Sequence, residues 1–132
     1  MKKYGLSARE RIKHKKDLNK IFQSGTTVLS SDKKIIAYYF VDVTTQQPVI
    51  KFAVTISKKL GNAVWRNRLK RIFRAAYRLN KAGLIDKCLI NSKSVNLVLS
   101  PHRLNQENNK VLKLADIETG IREVMGFISN RI

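Results

Sequence analysis

The chain has 132 residues, of which 27 are lysine or arginine and nine are acidic, so its formal net charge is +18. This length corresponds to one domain with its own core, and an apolar content of 43% is enough to fold it, so the charge does not indicate disorder. The longest apolar run, residues 35–41, is too short for a membrane helix, which needs about 20 residues. The N-terminus lacks the apolar segment of a signal peptide, and a lone Cys88 suits a reducing compartment. We expect a single cytoplasmic domain over 1–132, with a basic, extended segment at about 1–15.

Hydrophobic periodicity predicts the order helix, three strands, helix, strand, helix, which is an α+β domain. The predicted elements are a helix around 18–22 capped by a left-handed Gly25, strands at 26–30, 35–41 and 49–57, a helix from Asn62 to about Leu79, a strand at 95–99 and a helix from near Asp116. A polar turn is expected at 44–48, and a loop with one apolar piece at 80–94. The strand at 49–57 alternates apolar and polar residues, so one of its faces is expected to be open to a partner.

The positive charge is concentrated in two parts of the sequence. Between Asp42 and Asp86 there are ten basic residues and no acidic one, and residues 1–20 contain eight basic residues against two acidic ones. Charge at this density repels itself in a folded domain unless a polyanion binds. We therefore expect a nucleic acid as the partner, in preference to an anionic membrane surface, an acidic protein or a role in solubility alone.

The second predicted helix is apolar on one side and basic on the other. Wound at about 100° per residue, its apolar side chains fall within an arc of about 120°. These are Trp65, Leu69, Ile72, Phe73, Ala76 and Leu79, and the rest of the surface carries Arg66, Arg68, Lys70, Arg71, Arg74 and Arg78. A solvated face normally mixes signs because opposite charges one turn apart stabilise a helix, so this face indicates anion binding. Arginine predominates, and its planar fork bonds phosphate oxygens in pairs.

The turn before this helix predicts a site for phosphate. Residues 59–62 would present free N–H groups and the positive end of the helix dipole, and Gly61 would let the RNA backbone approach closely. The sequence leaves open whether Trp65 packs inward or contacts RNA.

Residues 57–71, Ser-Lys-Lys-Leu-Gly-Asn-Ala-Val-Trp-Arg-Asn-Arg-Leu-Lys-Arg, closely resemble the signature of the bacterial ribonuclease P protein family. Its mark is Arg-Asn-Arg after a Lys-Lys-x-Gly-Asn-Ala-Val turn. Residues 11–13 and 17–25 are similar to the basic lead-in and first helix of that family, and the resemblance spans about 11–130. It implies a compact α-β-β-β-α-β-α domain (ribosomal protein S5 domain 2-like). The strand–helix–strand crossover in this fold is left-handed, an exception to the usual hand.

The resemblance also implies a function. Such a chain is the protein subunit of an endoribonuclease that removes the 5′ leader from precursor tRNA, and the RNA subunit performs the hydrolysis and holds most of the Mg²⁺. The chain alone is then neither catalytic nor a metal-binding protein. The implied partners are the catalytic RNA and precursor tRNA, with no membrane and no obligate protein partner.

Two surfaces follow from the resemblance. Residues expected to face the catalytic RNA are Lys58, Lys59, Asn62, Arg66, Asn67, Arg68, Lys70, Arg71 and Arg74. Residues expected to line a leader cleft between the first helix and the sheet are Lys13, Phe22, Tyr38, Tyr39, Lys51 and Thr55. Because side chains alternate along a strand, only one of Tyr38 and Tyr39 can face the cleft.

Two other functions are compatible with the composition. One is a different RNA-binding protein, such as a ribosomal protein or a ribosome assembly factor. The other is a self-sufficient nuclease, which needs convergent carboxylates to hold Mg²⁺, whereas the acids here are scattered. His14 and His102 are isolated in the sequence, and Cys88 lies in an apolar stretch where packing is its expected role.

Overall fold

The computed structural model describes residues 11–12, 15–43 and 48–132. Its elements in chain order are α1 (Lys15–Ser24), β1 (Thr26–Leu29), β2 (Ile35–Val43), β3 (Ile50–Val54), a 3-10 turn (Lys58–Leu60), α2 (Ala63–Asn91), β4 (Lys93–Pro101) and α3 (Leu114–Asn130). The predicted α+β order is confirmed. The expected N-terminal extended segment, Lys13, His14 and most of the polar turn at 44–48 lie outside the described residues. No helix in the described part is both long and apolar enough to span a membrane.

The four strands form one mixed sheet in the order β1-β2-β4-β3. β2 pairs antiparallel with β1 and with β4, whereas β3 and β4 are parallel neighbours. Parallel neighbours cannot be joined by a tight turn, so the chain must cross from one end of the sheet to the other, and α2 makes this crossing. The strand–helix–strand unit expected from the resemblance is present.

One face of the sheet packs against α2 and α3 and forms the core. Alternate strand residues point to this side, as the pleat requires. They include Ile35, Ala37, Tyr39, Phe52, Val95, Leu97 and Leu99, all buried. The ring of Tyr77 from α2 stacks on Phe52 with centroids 3.9 Å apart and planes within 3°. The core is therefore a two-layer arrangement of sheet and helices.

The helix α2 is longer than the sequence predicted, and the expected loop at 80–94 is wrong. The helix continues to Asn91 and ends at Ser92, which has left-handed backbone angles. Its buried residues recur mostly every four positions, so the buried stripe rotates by about 40° at each step. They are Trp65, Leu69, Phe73, Ala76, Tyr77, Lys81, Leu84 and Cys88. This drift leaves Leu79, predicted to be in the core, 58% exposed, and places Leu84 at 1% exposure.

α1 lies on the opposite face of the sheet, where Ile21 is buried. It ends at Gly25, whose backbone N–H donates to the Ile21 carbonyl at 2.8 Å. The left-handed conformation expected for Gly25 is wrong, since no described glycine has a positive φ. Glycine is required there for space: a Cβ would collide with the Ile21 carbonyl oxygen and lie 2.9 Å from that of Tyr39.

The rotation of the buried stripe along α2 is tested by a leucine-to-alanine substitution at each of two positions. Leu84→Ala should lower the free energy of unfolding by about 2–5 kcal/mol because it opens a cavity in the core. Leu79→Ala should change it by less than about 1 kcal/mol because the side chain is largely in solvent. Urea unfolding followed by circular dichroism measures both, and a larger effect at Leu79 would contradict the described packing.

Candidate nucleic-acid interface

The basic face predicted on α2 is present on the surface. Asn67, Arg68, Arg71 and Arg74 are exposed, Arg66 and Lys70 are half-buried, and Lys58 and Lys59 are exposed in the 3-10 turn. Among the described residues, Arg122 and Glu118 form an ion pair at 4.0 Å on α3, away from the basic face. The cations of the basic face thus lack carboxylate partners in this part of the chain. The result is a positive surface that an anion can neutralise.

Residues 57–62, which we call the entry turn, lead into α2 and hold several of these groups. Asn62 caps the helix, because its Oδ1 accepts from the Trp65 backbone N–H at 2.9 Å. The backbone N–H of Asn62 donates to Oε1 of Gln106 at 2.8 Å. Nε of Arg66 donates to the Gly61 carbonyl at 3.1 Å. Three of the N–H groups expected to be free for phosphate at residues 59–62 are therefore bonded within the protein: those of Lys59 and Leu60 to Ser57, and that of Asn62 to Gln106.

Trp65 packs inward, which answers the question that the sequence left open. Its side chain is 4% exposed, and its indole Nε1–H donates to the Asn109 carbonyl at 2.9 Å. The ring lies against Gly61, where a Cβ would come within 2.6 Å of Trp65 Cε3 and 2.9 Å of Gln106 Cβ. The φ of Gly61 is 174°, an extended angle that any residue adopts. Glycine at 61 is therefore explained by packing rather than by the approach of a phosphate.

On the second face of the sheet, two of the grooves beside α1 contain predicted leader residues on opposite sides of the helix. The first, which we call the Phe22 groove, has a volume of about 490 Å³ and is lined by Phe22, Tyr38, Thr55, Ile56, Ser57, Leu60, Ser100 and Pro101. The rings of Phe22 and Tyr38 meet edge to face, with centroids 4.9 Å apart. Phe22 is 42% exposed, and Thr55 Oγ1 shares a hydrogen bond with Ser100 Oγ. Three of the predicted leader residues thus meet in one open groove.

The second groove lies on the other side of α1 and contains Lys51. We call it the Lys51 groove, and it is lined by Ile12, Asp17, Lys20, Ile21, Phe40, Lys51 and Asn96. Phe40, Asn96 and Lys51 are register partners on β2, β4 and β3, and Lys20 Nζ lies 5.0 Å from the Phe40 ring centroid. Lys51 and Thr55 are four residues apart, or about 13 Å along a strand. The structure therefore places Lys51 apart from the other predicted leader residues.

The two tyrosines of β2 have different positions. Tyr39 is buried among core residues, so its predicted place in the cleft is wrong, while Tyr38 faces α1. Phe40 was not predicted from the sequence as a groove residue. It lies two residues after Tyr38 on β2, so the alternation of side chains along a strand predicts that both face the same side of the sheet. Gln106 and Asn109 were also missed, because single polar residues in an irregular segment carry no periodic signal.

The groups considered for other chemistry are placed as follows. Burial raises the pKa of the Cys88 thiol to about 11, so at neutral pH it is the unreactive protonated form. The backbone N–H of His102 donates to the Lys34 carbonyl at 2.7 Å. In the described residues, no three His, Cys, Asp or Glu side chains are grouped so that they could hold a metal ion.

Comparisons with known proteins point to one family. A family model described as Ribonuclease P matches residues 6–116. The ribonuclease P protein component of Lactococcus lactis subsp. cremoris (strain MG1363) is 34% identical over 108 residues, which cover 81% of this chain and 88% of that protein. The protein of the same description from Macrococcus caseolyticus is 28% identical over 106 residues, or 80% of this chain and 89% of that one.

Solved structures share the fold. The RNase P protein of Staphylococcus aureus matches with a TM-score of 0.66 and 21% identity, covering 90% of this chain and 94% of that one. The RNase P protein of Thermotoga maritima matches with a TM-score of 0.67 and 20% identity, covering 89% and 96%. At these identities the similarity shows the fold.

The packing at the entry turn is tested by a pair of glycine substitutions. Gly61→Ala should destabilise the protein by about 1–3 kcal/mol, because the new methyl group has to displace the buried Trp65 ring. Gly83→Ala, inside α2 where a Cβ meets nothing within 4 Å, should stabilise it by about 0.5–1 kcal/mol. Both changes restrict the unfolded chain alike, so opposite signs in urea unfolding isolate the contact. Equal shifts would contradict it.

Proposed function

The chain belongs to the ribonuclease P protein family, and from this we propose that it is an RNA-binding subunit of a ribonuclease P endoribonuclease. In this proposal it binds the catalytic RNA through α2 and the entry turn, and the 5′ leader of precursor tRNA through the face that carries α1. The holoenzyme then removes the leader by Mg²⁺-dependent hydrolysis and leaves the mature 5′ end. The observation that carries the proposal is the Arg-Asn-Arg surface at 66–68, whose arginines have no carboxylate partner among the described residues and which lies within the part matched by the family model.

Electrostatics supports RNA as the ligand of α2. A folded RNA presents closely spaced phosphates, and each one neutralised by a cation releases condensed counterions, which favours binding. Arg68 and Arg71 are exposed, free of acidic partners among the described residues and one turn apart, so both forks can reach the same stretch of RNA backbone. Because the other side of the helix is in the core, these side chains are presented on a rigid support.

The Phe22 groove supports a role in holding single-stranded RNA. Stacking on an aromatic ring tolerates any base, because every base has a π face. The half-exposed ring of Phe22 offers such a surface, and Tyr38 braces it from the side. The hydroxyls of Thr55 and Ser100 line the same groove and can bond sugar or phosphate oxygens. A leader varies in sequence, so a platform of this kind suits it better than a set of base-specific bonds.

In this proposal the RNA subunit, and not the protein, performs the hydrolysis. Mg²⁺ is bound by oxygen ligands, chiefly carboxylates and phosphates, and the described residues contain no carboxylate cluster to hold it. The RNA phosphates supply such ligands, and the metal there would activate the attacking water and stabilise the leaving oxygen. The protein contributes binding: it neutralises phosphates that would otherwise repel each other and fixes the leader relative to the catalytic RNA.

We predict that removal of a cation from α2 weakens binding to the catalytic RNA. Arg68→Ala should lower the affinity for a bacterial ribonuclease P RNA by roughly 10–100-fold, the equivalent of one charge-assisted hydrogen bond. The slope of log affinity against log salt should fall by about 0.7–0.9. The control is Arg122→Ala, which removes an equal charge from an exposed position on α3. Filter binding over a range of salt concentrations measures both, and equal reductions in affinity would mean that only net charge matters.

We predict that Phe22 acts on the leader. In the holoenzyme assembled with a bacterial ribonuclease P RNA, Phe22→Ala should weaken binding of precursor tRNA by roughly tenfold, since stacking contributes about 1–3 kcal/mol per base. Binding of mature tRNA, which has no leader, should be unchanged. Phe127→Ala is the matched control, because Phe127 is 40% exposed and lies on α3. An equal reduction for precursor and mature tRNA would contradict the assignment of the groove.

Precursor cleavage separates this function from the alternatives. The chain should accelerate cleavage by the bacterial RNA at low Mg²⁺ and should cleave nothing without the RNA. Cleavage by the protein alone would indicate a self-sufficient nuclease. Preferential capture of ribosomal RNA over ribonuclease P RNA would instead indicate a ribosomal protein or an assembly factor.

A further inference from the structure

An irregular segment far along the chain holds the entry turn in place. The connection between β4 and α3, residues 102–113, folds back over the start of α2. Its Gln106 bonds on both sides of Gly61: the backbone N–H of Gln106 donates to the Leu60 carbonyl at 2.7 Å, and its Oε1 accepts the Asn62 N–H at 2.8 Å. One residue thus fixes the chain immediately before and after the glycine.

A second bond anchors the same segment to α2. The indole N–H of Trp65 donates to the Asn109 carbonyl at 2.9 Å, from within the core. Asn109 is in turn tied to Asn105, whose carbonyl accepts the Asn109 N–H at 2.8 Å, and Asn105 Oδ1 accepts the Asn108 N–H at 2.8 Å. Leu104 is buried in the core. The segment is therefore braced internally and at its contacts with the entry turn and with α2.

The residues it holds are those that carry the basic surface. Lys58 and Lys59 lie in the entry turn. Nε of Arg66 donates to the Gly61 carbonyl, which lies between the Leu60 carbonyl and the Asn62 N–H that Gln106 bonds. Gly61 has no side chain to restrict its backbone, so without Gln106 the turn could rotate at this residue. Binding groups must be held close to their productive geometry by supporting residues to be effective.

We propose that Gln106 is a positioning residue for RNA recognition: it fixes the entry turn so that Lys58, Lys59 and Arg66 present their charges together. It acts through the backbone of residues 60 and 62 and need not touch the RNA. This inference rests on the proposed function, since it takes the catalytic RNA as the ligand of α2.

The test replaces the acceptor while keeping the shape. Gln106→Met preserves side-chain length and the backbone N–H but removes Oε1. Asn108→Ala is the control in the same segment, because the side chain of Asn108 is exposed and its hydrogen bond to Asn105 uses the backbone N–H. The measurements are the affinity for a bacterial ribonuclease P RNA over a range of salt, the thermal midpoint, and hydrogen exchange of the Asn62 amide by NMR.

Gln106→Met should speed exchange of the Asn62 amide and weaken RNA binding roughly tenfold. It should also lower the salt slope by about 0.7–0.9 for each phosphate that the protein no longer neutralises. Asn108→Ala should match the wild type in all three measurements. A purely structural role would lower the thermal midpoint and leave the affinity and salt slope of the folded protein unchanged, and that result would overturn the inference.

Two further outcomes are distinguishable. If the wild type does not bind the RNA, the proposed function fails. If it binds and Gln106→Met binds equally well despite faster Asn62 exchange, the positioning role fails and the function stands. Should Gln106→Met not fold, Trp65→Phe removes the other anchor, because the smaller phenyl ring lacks the indole N–H that bonds the Asn109 carbonyl. The lost ring volume lowers stability, so affinity and salt slope are measured on the folded protein, where the same decrease in both is expected. An unchanged slope in that variant would overturn the inference.

Discussion

The basic face of α2, whose exposed arginines have no carboxylate partner among the described residues, is possible because the other side of the same helix is anchored in the core. Each like-charge pair one turn apart destabilises a helix by about 0.2–0.5 kcal/mol, and α2 has several such pairs. Burial of each large side chain on the opposite side contributes about 1.5–3 kcal/mol, and Trp65, Leu69, Phe73 and Tyr77 are all buried. The free energy gained by packing therefore exceeds the repulsion between the cations, and the cations stay fixed on a rigid surface. A bound polyanion would relieve that repulsion by neutralising them. The same anchoring makes α2 a suitable crossover between the parallel strands β3 and β4, because the crossing helix packs against both of them.

The sheet serves two purposes because its side chains alternate. Residues of one parity, such as Tyr39 and Leu97, complete the core beneath α2 and α3, while residues of the other parity face α1. On that second face α1 covers only the middle, and its buried Ile21 separates the Phe22 groove from the Lys51 groove. The first groove combines an aromatic pair with hydroxyls, whereas the second combines Phe40 with an amide, a carboxylate and two lysines, so the two surfaces differ chemically. Their separation is a consequence of a single helix lying over the two central strands, β2 and β4.

Much of this architecture could be predicted from the sequence, and the failures have physical causes. The order of elements, the buried strand β2 and the apolar stripe that begins at Trp65 follow from periodicity, which reports local burial directly. The second half of α2 was missed because Lys81 and Gly83 interrupt the apolar pattern where the stripe rotates, although tertiary packing keeps the helix intact. The place of Lys51 could not be predicted, because alternation gives the face of a strand and not the path of a helix across it. The bonds of Gln106 reach a turn 44 positions away and depend on the fold as a whole.

The entry turn belongs to both candidate surfaces. Ser57 and Leu60 line the Phe22 groove, while Lys58 and Lys59, between them in sequence, lie at the edge of the basic face. The Leu60 carbonyl is also the group that accepts the Gln106 N–H. A rotation of the turn at Gly61 would therefore move a wall of the groove and the adjacent cations together. Because the two surfaces share this short segment, under the proposed function a contact that fixes its backbone would set the geometry between an RNA bound along α2 and a strand bound beside Phe22. In that proposal one RNA cuts the other at a fixed position, which requires the two to be held in a constant relation, and a bonded turn meets that requirement better than a free one.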